Sequence, residues 1–71
     1  MIKLKEAVDL AKSFLSTSAG VPTLFTNLES VSEKNGRWVV TFKYTFMYLA
    51  SSYTVELDKD SGEVLQYAKS D

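Results

Sequence analysis

Three carboxylates fall within six residues, at Asp58, Asp60 and Glu63, and two hydroxyls stand side by side at Ser51 and Ser52. Carboxylates at alternating positions can ligate Ca²⁺. The helix–loop–helix calcium loop, however, also needs Gly at its sixth position and Glu at its twelfth. Counted from Asp58, Gly62 is fifth and Lys69 is twelfth. The run therefore reads as a hairpin turn whose carboxylates face water, since Asp and Gly are ordinary turn chemistry. A nucleophilic serine usually works with a His base, and the chain contains no His and no Cys. That removes the common nucleophile–base pairs and the usual zinc ligands. Ser-Lys and paired-carboxylate routes are formally open, but Ser51 and Ser52 read as turn residues without an identifiable base. The expectation is a protein that is not an enzyme and carries no cofactor or metal.

Aromatic residues are the other chemical resource. Trp38, Phe42, Tyr44, Phe46, Tyr48 and Tyr53 could line a ligand groove or stack on single-stranded nucleic acid. Stacking on nucleic acid calls for interleaved cations, and only Arg37 and Lys43 accompany this series. The formal net charge is -1 and Arg37 is the lone arginine, so a phosphate-binding footprint is not expected. The spacing of two favours a packed sheet face, and most of the series is expected in the core.

The elements that hold these residues can be read from the hydrophobic period. Leu4, Ala7, Val8, Ala11, Phe14 and Leu15 recur at steps of three and four, which predicts an amphipathic helix. Glu6 suits its first turn and Lys12 its expected end, but Lys3 is a poor N-cap. Ser16 to Gly20 reads as the stop, reinforced by Pro22. Thr23 to Leu28 could be loop, 3₁₀ turn or early strand. From Glu29 the period becomes two. Asn35-Gly36 is the favoured centre of a type I′ hairpin. A long strand follows, with Trp38, Val40, Phe42, Tyr44, Phe46 and Tyr48 facing the helix. A turn is expected around Leu49 to Ser52. The next strand turns Tyr53, Val55 and Leu57 inward. Asp58 to Gly62 forms the last turn, Glu63 to Ala68 a short final strand, and Lys69 to Asp71 a fraying end. The fold class is α+β: one domain over 1–71, with an N-terminal helix packed on a three- to four-stranded antiparallel β-meander.

A helix of about 15 residues is about 22 Å long, and a strand from Arg37 to Tyr48 could run nearly twice as far. The far end of the sheet should project past the helix unless Thr23 to Leu28 covers it. Phe46, Met47, Tyr48, Leu49 and Tyr53 are the candidate interaction surface, for a protein or peptide partner or for self-association. The alternative is a small-molecule binder using Phe14, Trp38, Phe42 and Tyr53, which requires a cavity of at least about 300 Å³ between helix and sheet. A structural domain with no separable activity is the third reading. No run of 18 apolar residues is present, so no membrane partner is expected. Charges interrupt the segment from Met1 to Leu15, which does not resemble a signal peptide, so the expected location is cytoplasmic.

Three segments resemble PepSY domains. Ile2-Lys3-Leu4-Lys5-Glu6-Ala7-Val8-Asp9-Leu10-Ala11 is similar to that family's helix opening, with its Glu-Ala pair. Asn35-Gly36-Arg37-Trp38-Val39-Val40 resembles the turn that leads into an aromatic-bearing strand. Tyr53 to Val64 looks like the closing pattern of strand, Asp, turn, Ser, Gly, Glu and Val. The resemblance implies a helix on an antiparallel sheet and a non-enzymatic module. In the family, inhibition or chaperoning of a protease is the usual proposal. Lys3-Leu4 departs from the Ser or Thr usually found near the helix start.

Overall fold

Apolar residues at helical spacing bury one stripe, and that stripe builds α1, Leu4–Thr17. Ala7, Ala11 and Leu15 are fully buried along it. Two small alanines let the helix lie close to the sheet, and Leu15 fills the space beyond them. Lys3 makes no side-chain cap. The start is fixed from outside instead: the Ile2 amide donates to the Lys59 carbonyl (2.9 Å), and Trp38 Nε1 donates to the Ile2 carbonyl (3.2 Å). At the other end the Val21 amide donates back to the Leu15 carbonyl (2.8 Å), a reversal that Gly20 permits at φ 70°. The helix continues to Thr17, so Lys12 sits inside it rather than at its end.

The computed structural model describes residues 1–70, and Asp71 lies outside them. After α1 come a 3₁₀ turn, Thr23–Phe25, and four strands: β1 (Thr26–Lys34), β2 (Arg37–Phe46), β3 (Leu49–Asp58) and β4 (Val64–Ser70). They form one antiparallel sheet in the order β1-β2-β3-β4. The uncertain stretch after Pro22 is thus a 3₁₀ turn followed directly by strand.

Turn chemistry sets the register. Asn35 and Gly36 have φ 52° and 76°, and Lys34 pairs with Arg37 across them, as the Asn-Gly pair predicts. The second hairpin departs from expectation. Phe46 pairs with Leu49, so the turn is Met47-Tyr48 rather than Leu49 to Ser52, and Tyr48 is a turn residue, not the end of β2. No Gly, Asn or Asp marks this turn, which is why the sequence hides it. The end of the chain also differs. Lys69 and Ser70 do not fray but pair with Tyr53 and Ser52 in the β3–β4 ladder.

Val40, Phe42, Tyr53, Val55 and Leu57 from the two central strands meet Ala7, Ala11 and Leu15, with Val21 closing one end. Val40 lies opposite Val55, and Phe42 opposite Tyr53, so the core is a set of cross-strand pairs under the helix. Gly62 seats the last turn against α1. A Cβ there would stand 2.9 Å from Leu10 Cδ1, and its φ is 79°.

Candidate functional site

The helix spans 14 residues, or about 21 Å, whereas the molecule's long axis is 38 Å. The N-terminus of α1 is tied to Trp38 and Lys59, so the helix starts at the Asn35-Gly36 end of the sheet. The opposite end, around the Met47-Tyr48 turn, extends beyond it. Part of this overhang is covered by the 3₁₀ turn. The Phe25 ring packs on Phe46 (centroids 4.7 Å apart) and edge-on to Tyr44 (6.4 Å).

The cover is incomplete. Tyr48 is 100% exposed, Met47 83% and Leu49 65%, while Phe46, partly under Phe25, is 37% exposed. Tyr53 differs from these four. It is 8% exposed, stacked on Tyr67 (6.0 Å) and edge-on to Tyr44 (6.1 Å), and so belongs to the core rather than to the tip. Two residues explain the separation: with the turn at Met47-Tyr48, Tyr53 lies opposite Phe42, well back along the hairpin.

Leu24, 85% exposed, adds to the same end through its neighbour Phe25. The sequence held a signal for it. No charged residue occurs from 13 to 28 or from 44 to 55, and the fold brings these two uncharged runs together at the tip. Met47 also carries a backbone signature. Its φ is 58°, a conformation that costs an L-residue about 1–2 kcal/mol and normally selects glycine or asparagine.

The acidic run is occupied by its own backbone. Asp58 Oδ1 accepts hydrogen bonds from the amides of Asp60 (2.8 Å) and Ser61 (3.1 Å), and Ser61 Oγ accepts from the Glu63 amide (3.2 Å). The two amides on Asp58, chiefly that of Ser61, hold its carboxyl below the usual carboxylate range. The chemistry of this run is therefore that of a turn. Among the described residues, no group of three acidic side chains is arranged to hold a metal ion.

The residues of the small-molecule alternative lie in or against the packed core. Phe42 is fully buried, Tyr53 nearly so, and Phe14 leans on Tyr67 at 5.6 Å. A concavity of about 430 Å³ exists, but it is lined by Lys34, Asn35, Arg37, Val39 and Glu56, with Arg37 and Glu56 paired at 3.3 Å. Arg37, Val39 and Glu56 stand on the sheet face away from the helix, out of phase with the core residues beside them. Ser51 and Ser52 are half-buried strand residues of β3 rather than turn residues.

No helix of the described residues is long and apolar enough to cross a membrane. Comparison of the chain with protein-family models, with curated proteins and with solved structures finds a match in none of the three.

Proposed function

We propose that this chain is a small non-enzymatic module that binds a protein or peptide partner through the end of its sheet, with Phe46, Met47, Tyr48 and Leu49 as the contact residues. One observation carries the reading: a hairpin turn that presents exposed apolar side chains where turn chemistry calls for Gly, Asn or Asp, with Met47 held at positive φ. Strained backbone and exposed apolar surface at one place is a pattern expected of a contact site. Leu24 extends the surface. The PepSY-like assignment, the cytoplasmic location and the absence of a cofactor belong to this proposal.

The small-molecule alternative gains no support from the concavity, which is on the other face of the sheet from its four residues. The test of the leading reading is a selection from a random peptide library displayed on phage, with the folded protein as bait. Selected peptides should bind the native chain and lose at least tenfold in affinity for Tyr48→Ser, a fully exposed position, with circular dichroism checking that the variant keeps the fold. Peptides that bind Tyr48→Ser as well as the native chain would place the contact elsewhere.

A further inference from the structure

The two edges of the sheet are built differently. A free edge exposes backbone donors and acceptors that can pair with another strand, and soluble proteins usually blunt it with charges or bulges. β1 is blunted in both ways: Glu29 sits at a bulge within the strand, and Glu33 and Lys34 charge its end. β4 has its irregularity at its very start, between Val64 and Gln66, and then runs regularly from Gln66 to Ser70. Lys69 is the sole charge in that run, and its side chains are exposed.

The regular run is self-complementary. Consider it paired antiparallel with a copy of itself about a two-fold axis at Ala68. Ala68 then meets Ala68 of the copy, a small residue that allows close approach. Gln66 lies opposite Ser70. Tyr67 and Lys69, which share the helix-facing side with Val55 and Tyr53, lie opposite each other twice. No like charges oppose. Each ammonium meets an aromatic ring, and Lys69 Nζ already lies 6.0 Å from the Tyr53 ring centre in its own chain.

We propose that β4 pairs with β4 of a second copy of this chain, in this register, to form an eight-stranded continuous sheet with both helices on one side. The partner is a second copy rather than an unrelated strand because the run complements itself. The two-fold axis keeps like faces together, so Tyr67 continues the aromatic row of Tyr53 and Phe14 toward the partner. None of the tip residues Phe46 to Leu49 takes part, so this pairing is independent of the peptide contact proposed above. Five residues of strand span about 17 Å, a short contact, so the dimer is expected to be weak.

Sedimentation equilibrium over a concentration series tests the pairing, with Ala68→Lys and Ala68→Glu as variants on the exposed outer face. The native chain should approach twice 7.9 kDa as concentration rises. Each variant places like charges on the axis and should associate at least tenfold more weakly. An equimolar mixture of the two variants should recover association, because Lys then faces Glu. A native chain that keeps a single-chain mass up to about 1 mM overturns the proposal, as does a dimer that neither variant weakens. Association that is weakened in both variants but not restored in the mixture overturns the register. Circular dichroism of each variant confirms that the fold is retained.

Discussion

Met47 and Asp58 are turn residues with opposite relations to their backbone. At Met47 the side chain conflicts with φ 58°. Met47→Gly removes that conflict but enlarges the unfolded ensemble. Stability is therefore expected to stay level or rise by up to about 1 kcal/mol, read from urea unfolding, while selected peptides lose affinity. A loss of stability would show that Met47 packs more than its exposure indicates. At Asp58 the side chain supports the backbone, and its carboxyl titrates below the usual value because the Ser61 and Asp60 amides bond the charged form. Between the depressed folded value and the ordinary unfolded value of about 3.9, the unfolded chain binds more protons. This contribution is complete above the unfolded value and disappears as pH falls through the folded one. Asp58→Asn should flatten the acid limb of a stability–pH curve below about pH 4 and leave it parallel to native at pH 6 to 7.

At the scale of elements, α1 starts without a side-chain cap although Lys3 already has the extended backbone of a cap residue, φ -91° and ψ 166°. Lys3→Asp supplies an acceptor for the free amides and a favourable charge for the helix dipole. It should add about 1 kcal/mol, or roughly 4–8 °C in Tm for a domain of this size. The Asp58 to Gly62 turn is bound to the helix as well as to its strands. Gly62→Ala meets both a positive φ and Leu10 at 2.9 Å, and should cost about 1–2 kcal/mol by thermal unfolding. Elements with explicit local codes were legible in the sequence: the 3.6 period of α1, Asn35-Gly36 and the Asp58 to Gly62 turn. The Met47-Tyr48 turn was not, because its residues continue the apolar alternation of β2 and carry no turn preference. A turn at Leu49 to Ser52 would put Tyr48 in a strand and Tyr53 near the tip, whereas Phe46 pairs with Leu49 and Tyr53 with Phe42. The pairing of Lys69 and Ser70 escaped for a related reason: edge pairing depends on the length of β3, which only the true turn position reveals.

At the scale of the whole molecule, a 71-residue chain without disulfides depends on one layer of side chains between α1 and the sheet. Domains of this size have about 4–10 kcal/mol of stability, and Phe42→Ala should remove about 3–5 of it. Urea titration should place that variant near its midpoint in mild denaturant. The 38 Å long axis follows from strands longer than the helix that covers them, and this mismatch was visible from residue counts alone. What the counts could not supply was the partial cover by Phe25 or the addition of Leu24, since both depend on how the chain turns after Pro22. Charge follows the same axis: the uncharged runs 13–28 and 44–55 meet at the tip, and the acidic turn lies at the far end.

Amide chemical-shift mapping of the chain with a selected peptide tests the contact surface most directly. Phe46, Met47, Tyr48 and Leu49 should move together with Leu24, while the Asp58 to Gly62 turn and the outer-face concavity at Arg37 and Glu56 stay still. Shifts centred on Arg37, Val39 and Glu56, or along β4, with Met47 and Tyr48 unmoved, would contradict the account.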